Sequence, residues 1–255
     1  MTSMLKRIQD VAGGNTDPFD ITQHRQSYYQ WPLVSCCCVS NSTRKHHLEK
    51  SIDHFLAQTY PNLELVVVSH DEIFEEQQQK ALPKNIRFFR CSPKLTLGSK
   101  RQFALEQSRG TIYCHWDDDD YFHPLRLFYQ IFHLFASGKQ ACVLGDICHL
   151  VKDALYLERW HRVGVPASIL AYKRYCPSYI DSDTSEDSYF MRMLDCGILY
   201  GAPWLFTYIF HGTNLCSLDH HNKLVELYGT FQYNDQLIQE TLSRIPEQYK
   251  NLYRG

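Results

Sequence analysis

The apolar residues of the chain are grouped into short runs that alternate with amphipathic segments. Leu33–Val39 and Leu63–Val68 are almost unbroken apolar runs with the length of buried strands. Between them, apolar residues recur at helical spacing, which predicts a helix over about residues 45–58. A strand, a helix and a strand joined by short connections form a βαβ unit, so we expect two neighbouring parallel strands. Their carboxyl ends then lie at the same edge of a sheet.

Strands and helices continue to alternate along the rest of the chain. Further strands are predicted over Ile86–Cys91, Thr111–Trp116, Ala141–Leu150, Ala154–Trp160 and Leu205–Phe210, with the third and fourth of these antiparallel. Further helices are predicted over residues 71–81, from Leu97 onward and over residues 124–135. One amphipathic helix is predicted after residue 233, and it stops near Pro246. Thr184 and Asp187 form the T-x-x-D pattern of a capping box, which predicts another helix. This order of elements is typical of an α/β protein.

Four consecutive aspartates, Asp117–Asp120, follow the predicted strand Thr111–Trp116. Open α/β sheets bind ligands beyond the carboxyl ends of their strands. Alternate side chains of an extended chain share a face, so we expect Asp117 and Asp119 to point one way and the other two the opposite way. Like charges repel by about 1–4 kcal/mol at ~4 Å, and a cation among them would relieve that repulsion. Because oxygen ligands suit magnesium, manganese or calcium, and because aromatic residues flank the acids, we predict a divalent cation site rather than a solvated turn.

Composition narrows the class of protein. A chain of 255 residues with 44% hydrophobic content can bury the core of one large α/β domain. A formal charge of -2 argues against nucleic acid as a main partner. The sequence contains no signal peptide and no apolar run that could span a membrane, so we expect a cytoplasmic protein, with peripheral association at the inner face of the membrane left open. The ten cysteines include no C-x-x-C pair, which favours buried thiols in a reducing compartment over disulfides or zinc.

Basic residues near the acidic run are further candidates. Lys100 and Arg101 lie near the start of the helix that begins at Leu97. A cation and a helix N-terminus both favour a diphosphate there, with a solvated basic turn as the alternative. His211 follows the strand Leu205–Phe210. Its imidazole is a candidate metal ligand, with a buried structural histidine as the alternative.

Several short motifs occur in a specific order and spacing. They are Pro32–Ser35, Leu56–Val68, Leu97-Gly-x-Lys-Arg101, Gly110–Ile112 and Trp116-Asp-Asp-Asp-Asp-Tyr-x-x-Pro124. In these motifs the chain resembles the family 2 nucleotide-sugar glycosyltransferases, closely over about residues 32–130 and more loosely to about 215. The resemblance implies a GT-A (Rossmann-like) fold, with a mainly parallel central sheet, helices on both faces and a smaller acceptor-side sheet. The implied domains are a nucleotide-sugar-binding half (32–130) and an acceptor-binding half (131–230), between an N-terminal extension (1–31) and a C-terminal helix (231–255).

The resemblance also implies roles for the acids. The family's D-x-D signature falls on Asp117–Asp119. By this likeness Asp119, together with Asp117 and His211, would bind Mn²⁺ or Mg²⁺ beside the donor diphosphate, and Asp117 and Asp118 would lie against the ribose and the metal-bound waters. Lys100 and Arg101 would bind the diphosphate.

The donor and the base are implied in the same way. The loops that hold the donor base in this family carry Ser40, Asn41, His70 and Asp71 here. Relatives often read Asp-Asp-Gly-Ser after the second strand, whereas this chain reads Ser69–Glu72, so the acid that recognises uracil is displaced or replaced; a UDP-sugar is still the favoured donor. The family's Glu-Asp pair falls on Glu186 and Asp187. Asp187 would remove the proton of the acceptor hydroxyl as the anomeric centre inverts, with Glu186 as the competing candidate.

Two other classes of function fit parts of the sequence. A nucleotidyltransferase would use the same acidic metal site, but it would need a glycine-rich phosphate loop, and Ser40–Arg44 contains no glycine. A non-catalytic calcium- or carbohydrate-binding module needs only the acids and the aromatic residues. We therefore expect a metal-dependent, inverting glycosyltransferase that moves a sugar to a hydroxyl of a glycan or other acceptor in polysaccharide or glycoconjugate synthesis.

Overall fold

A seven-stranded sheet lies at the centre of the computed structural model, which describes residues 31–229 and 231–253. Its strands are β1 (Val34–Val39), β2 (Leu63–Ser69), β3 (Ile86–Arg90), β4 (Ile112–His115), β6 (Ala141–Leu144), β9 (Leu170–Tyr172) and β10 (Cys196–Leu199). Their order is β10-β6-β9-β4-β1-β2-β3. Neighbouring strands are parallel except at β9, which is antiparallel to both β4 and β6. The predicted α/β class and mainly parallel sheet are confirmed.

A smaller sheet contains the other four strands. They are β5 (Tyr121–Phe122), β7 (Asp146–Val151), β8 (Ala154–Arg159) and β11 (Phe206–Phe210), in the order β5-β11-β7-β8. β7 and β8 are antiparallel, as predicted. The single strand predicted over Ala141–Leu150 is wrong, because the chain passes from one sheet to the other at Gly145. A Cβ atom on Gly145 would lie 2.3 Å from the Tyr200 ring, so only glycine fits this crossing.

Helices surround the central sheet. They are α1 (Lys45–Leu56), α2 (Glu76–Ala81), α3 (Leu97–Gln107), α4 (Arg126–Ser137), α5 (Glu186–Arg192), α6 (Leu218–Tyr228), α7 (Asp235–Arg244) and α8 (Glu247–Lys250). Within the described residues, no helix has the length and apolar character needed to cross a membrane.

Three helix predictions need correction. α2 begins at Glu76 rather than at Asp71, because the Asp71 side chain binds Ser42 and Ser69 instead of capping a helix. The predicted capping box is absent at α5, whose N-cap is Ser185 in a left-handed conformation (φ 60°) with no side-chain cap bond. The predicted C-terminal helix stops just before Pro246, as expected, but a second, shorter helix that Pro246 caps follows it, so the segment contains two helices. α6 was not predicted.

The two predicted halves of the domain are joined through the central sheet. β9 belongs to the predicted acceptor half, yet it pairs with β4 of the nucleotide half. The two halves therefore share one sheet, and residues from Pro32 onward form one compact unit. The predicted extension over residues 1–31 lies outside the described residues, apart from its last position.

The segment before α5 is fixed to the start of α3. Asp181 Oδ1 accepts hydrogen bonds from the hydroxyls of Thr96 and Ser99, both over 2.6 Å. The backbone N–H of Gly98 donates to the Ser182 carbonyl over 2.8 Å. A Cβ atom on Gly98 would lie 1.9 Å from the carbonyl oxygen of Ile180, so the two segments meet at a distance that only glycine allows.

Gly98→Ala tests this contact. Alanine is the better helix former by about 1 kcal/mol, but its Cβ would overlap a backbone carbonyl that cannot move by itself. We expect the unfolding free energy to fall by about 3 kcal/mol, the upper end of overpacking costs, as measured by urea denaturation. Gly138→Ala is the control: it has open space around the added Cβ and only a left-handed φ of 65°. A loss for Gly98→Ala no larger than for Gly138→Ala would contradict the expectation.

Candidate active site

The loops that carry the predicted site residues meet at the carboxyl edge of the central sheet. β1 is parallel to both β2 and β4, so the chain leaves all three strands at the same edge. The backbone N–H of Ser40 donates to the Val68 carbonyl over 3.0 Å, and its hydroxyl donates to Asp118 Oδ2 over 2.5 Å. Ser40 thus connects the ends of all three strands.

Asp117 is bound by two basic side chains. Nε2 of His115 lies 3.0 Å from Asp117 Oδ2, and Arg101 donates from Nη2 to Oδ1 over 2.9 Å. Burial acts to raise the pKa of Asp117, but His115 and Arg101 outweigh this effect and hold the pKa well below its usual range. Asp117 is therefore ionised throughout the physiological pH range.

Arg101 connects the acidic run to α5. Its Nε donates to Glu186 Oε1 over 2.9 Å, while its Nη2 holds Asp117. Both ends of this link are buried, because the Arg101 and Glu186 side chains are 9% and 4% exposed. One guanidinium nitrogen, Nη1, has no hydrogen-bond partner among the described residues. Lys100 lies near a different group, the Cys91 thiol after β3, so the basic pair is divided between two environments.

Arg44 was not among the predicted site residues, although it binds two aspartates of the acidic run. Its Nη2 lies 2.6 Å from both Asp118 Oδ1 and Asp119 Oδ2, and its Nε donates to Asp118 Oδ2 over 2.9 Å. Burial opposes the charge, but the two carboxylates raise the pKa of Arg44. The expectation that adjacent aspartates point to opposite faces is therefore wrong. β4 ends at His115, and the run beyond it is bent rather than extended.

The loop after β11 completes the surroundings of Asp119. His211 Nε2 lies 3.0 Å from Asp119 Oδ2, and Asn214 donates to the same oxygen over 3.3 Å. The other ring nitrogen of His211, Nδ1, faces the Thr213 hydroxyl at 2.8 Å. The Thr213 backbone N–H donates to Nδ1 over 3.4 Å, so Nδ1 acts as an acceptor and Nε2 carries the proton that faces Asp119.

Asp120 points into the protein and is 3% exposed. Its Oδ1 accepts the backbone N–H of Ile209 over 2.9 Å, which connects the acidic run to β11. Burial and the charges of Asp119 and Asp117 raise the pKa of Asp120 well above its usual value. Asp120 therefore serves as an anchor for the smaller sheet.

Asp71 joins the loops after β1 and β2. Its Oδ1 accepts from the Ser42 backbone N–H over 2.9 Å and from the Ser69 hydroxyl over 2.7 Å, and its Oδ2 accepts from the Ser42 hydroxyl over 2.6 Å. Asn41 caps the turn Ser42–Arg44, because its side chain accepts from the Thr43 backbone N–H over 3.0 Å. Asn41 and Asp71, two of the four predicted base-binding residues, thus hold these loops in position.

A cleft of about 160 Å³ lies at the carboxyl ends of β2 and β3. Its lining includes Ser69, Asp71 and Phe88. His70 is one-third exposed beside Asp71, with its Nε2 3.7 Å from Asp71 Oδ2. Of the two predicted base-binding residues after β2, Asp71 therefore lines the cleft, and His70 lies next to Asp71.

Glu186 and Asp187 have different surroundings. Glu186 is 3% exposed and paired with Arg101. Asp187 is only partly buried, and its Oδ1 accepts the backbone N–H of Ser188 over 2.6 Å. The Cys216 thiol lies near enough to Asp187 and Asp117 that both carboxylates add to the larger effect of burial in raising its pKa. The geometric link between this pair and the acidic run is Arg101, which binds both Glu186 and Asp117.

A divalent cation fits this donor set. Among the described residues, no three His, Cys, Asp or Glu side chains surround a common point as a preformed metal site. However, an Arg44 nitrogen already lies between Asp118 and Asp119, where a cation would, and His211 is beside Asp119. Mg²⁺ is commonly held by one or two carboxylates together with substrate phosphates rather than by a complete protein cage.

The family model of glycosyl transferase family 2 matches residues 36–199, which is more than half of the chain. The chain belongs to this family. The prediction of a family 2 nucleotide-sugar glycosyltransferase is thereby confirmed. Membership also decides against the nucleotidyltransferase and the non-catalytic binding module.

Solved structures share the fold of this glycosyltransferase. It is similar to S. aureus TarS 1–349 with a TM-score of 0.54 and 12% sequence identity, covering 86% of this chain and 83% of that chain. The complex of TarS 1–349 with UDP-GlcNAc gives a TM-score of 0.54 and 11% identity over the same shares of both chains. In full S. aureus TarS the match covers 50% of that chain. Identity this low shows the fold alone, and no curated protein matches the glycosyltransferase.

Arg101→Met tests the link between the acidic run and α5. Two buried or partly buried carboxylates, Asp117 and Glu186, would lose the same partner. We expect the unfolding free energy of the glycosyltransferase to fall by about 3–5 kcal/mol, the usual cost of leaving a buried charge unpaired. Lys100→Met is the matched control, with an expected change within about 0.5 kcal/mol. Equal losses in urea denaturation would show that Arg101 is no more important to the fold than its neighbour.

Proposed function

We propose that this glycosyltransferase transfers a sugar, with inversion, from a UDP-sugar to a hydroxyl of a glycan or other acceptor, with the help of Mn²⁺ or Mg²⁺. The observation that carries the proposal is the meeting of the acidic run, the loops after β1 and β2, and α5 at one edge of the central sheet. Arg101 connects Asp117 to Glu186, next to Asp187, across this meeting point. A donor diphosphate and an acceptor hydroxyl would therefore lie side by side.

Two observations support a UDP-sugar as the donor. TarS 1–349 is known in complexes with UDP-GlcNAc and with UDP, and it shares the fold of this chain. The cleft at the carboxyl ends of β2 and β3 is the space where we propose the base, with His70 and Asp71 at its border and Asn41 and Ser40 in the adjoining loop. Asp71 is held by Ser42 and Ser69, so it would offer the base a fixed edge rather than a mobile side chain.

The cation would be held by Asp119 and Asp118 together with His211. When bound, a divalent cation stabilises the negative charge of the departing nucleoside diphosphate. Asp117 would act less directly, since His115 and Arg101 already bind its carboxylate. Nη1 of Arg101 has no hydrogen-bond partner among the described residues, and it would donate a hydrogen bond to the nucleotide sugar. Lys100 would contribute its charge from α3.

Asp187 is the better general base of the Glu-Asp pair. Glu186 is buried and paired with Arg101, so removing a proton from an acceptor would require it to give up that ion pair. Asp187 is partly exposed, and only its Oδ1 is used, by the Ser188 backbone. Its carboxylate would take the proton as the acceptor hydroxyl attacks the anomeric carbon from the side opposite the diphosphate.

Asp187→Asn is expected to lower the rate of sugar transfer by about 10²–10⁴-fold, the usual contribution of a positioned base. UDP binding should remain unchanged, because the carboxylate acts on the acceptor. The rate is measured as release of UDP with acceptor present, and binding by calorimetry. Asp195→Asn is the control, since Asp195 is exposed and pairs with Lys139 at the amino end of β10. Unchanged transfer by Asp187→Asn would exclude this base.

A donor screen tests the reaction class. Purified protein with MnCl₂ is offered a panel of nucleotide sugars, and free sugar and nucleoside diphosphate are detected by mass spectrometry. We expect slow hydrolysis of a UDP-sugar that EDTA abolishes. The proposed donor and metal are wrong if no nucleotide sugar is bound or hydrolysed.

A further inference from the structure

The cation position of the acidic run is filled by a side chain of the protein itself. Arg44 makes two bonds from Nε and Nη2 to the Asp118 carboxylate, and the same Nη2 reaches Asp119. The carboxylates are largely removed from water, with side chains 4% and 14% exposed. A guanidinium can therefore neutralise two adjacent acids that water alone would leave in mutual repulsion.

Arg44 is placed where it can leave this position. It is the N-cap residue of α1 and makes no side-chain cap bond there. Its side chain is 21% exposed, and its remaining contact, from Nη1 to the Thr213 carbonyl, is long at 3.4 Å. Its long aliphatic stem allows the guanidinium to move while the backbone stays in place. Asp118 and Asp119, by contrast, are fixed by Ser40 and by His211 with Asn214.

A divalent cation and the Arg44 guanidinium cannot both occupy the space between these carboxylates. Both are positive, both need the same oxygens of Asp118 and Asp119, and one nitrogen of Arg44 is already 2.6 Å from each. Binding of the cation therefore requires the loss of the arginine contacts. The freed guanidinium would remain beside the site, where a donor diphosphate offers it new acceptors.

We propose that Arg44 is the resident counter-ion of the acidic run. A divalent cation must displace the Arg44 guanidinium, and this guanidinium then pairs with the donor diphosphate. This inference rests on the proposed metal dependence. It makes Arg44 a residue that sets how strongly the enzyme holds its metal before the donor arrives. An enzyme without the guanidinium should bind the metal more tightly by itself.

The experiment measures Mn²⁺ binding to the full chain without any donor, by electron paramagnetic resonance of free Mn²⁺. Arg44→Gln should bind Mn²⁺ about tenfold more tightly than the wild type. Arg44→Lys keeps a charge but lacks the forked contact, so its affinity should lie between the two. Arg109→Gln is the charge-matched control, because Arg109 is exposed just before β4, at the opposite edge of the same sheet. Asp119→Asn should abolish binding in every background.

A second measurement, thermal unfolding, can be interpreted even if the wild type binds no metal. In EDTA, Arg44→Gln should melt at a lower temperature than the wild type and than Arg109→Gln, because Asp118 and Asp119 lose their counter-ion. Added MnCl₂ should then raise the melting temperature of Arg44→Gln by more than that of the wild type. Arg44→Lys, which retains the charge, should remain folded if Arg44→Gln does not.

The outcomes separate this inference from the proposed function. Equal or weaker Mn²⁺ binding by Arg44→Gln and Arg44→Lys, with binding still lost in Asp119→Asn, would overturn the role of Arg44 and leave metal dependence standing. Absence of Mn²⁺ binding in the wild type and in both Arg44 variants would overturn the two together. Tighter binding in both variants, with Arg109→Gln unchanged, supports the displacement.

Discussion

The repulsion among four adjacent carboxylates is the constraint on which the arrangement of this protein depends. Asp117–Asp120 follow one residue, Trp116, beyond the end of β4, where the chain has left the sheet and no longer separates alternate side chains. Four like charges in such a short segment need opposite charge, hydrogen-bond donors or protonation. The four acids meet that need through several different parts of the chain.

The partners of the acids are also the contacts that assemble the site. Asp117 engages Arg101 of α3, and through it α5; Asp118 and Asp119 engage Arg44 at the start of α1. Asp119 further binds the loop after β11, and Asp120 binds β11 itself. The electrostatic requirement of one short segment thus draws together elements that are distant in sequence. Structural stability and the proposed binding of a diphosphate with its cation would have the same origin here.

The sequence predicted the features that depend on local pattern. The apolar runs of β1 and β2, with α1 between them, determine a parallel βαβ unit, and this brings together the loops after β1 and β2, where Ser42 donates to Asp71. His211 was predicted next to Asp119 from its position after a strand and from the family likeness, and the two side chains are in contact. Patterns of this kind report on chain direction, and chain direction decides which loops meet.

Features that depend on packing between distant segments were not predictable. Arg44 reads as a basic residue of a polar loop, and its contact with two aspartates follows from the bend after His115 rather than from any motif. The division of one apolar run at Gly145 reflects pairing with strands far along the chain, since β6 pairs with β10 and β7 pairs with β11. The capping pattern at Thr184 was overruled because the preceding segment is held against α3 instead. In each case a long-range contact outweighs the local preference.

The position of β9 has a consequence for how the enzyme acquires its shape during synthesis. β4 ends at His115, whereas its antiparallel neighbour begins at Leu170, so the ribosome must deliver a long intervening stretch before that side of β4 is covered. Until then an apolar strand edge with unpaired backbone groups is open to other chains. The pairing on this side of β4 therefore forms late and between residues distant in sequence. A fragment limited to the nucleotide-binding half would leave this edge of β4 unpaired and prone to aggregation.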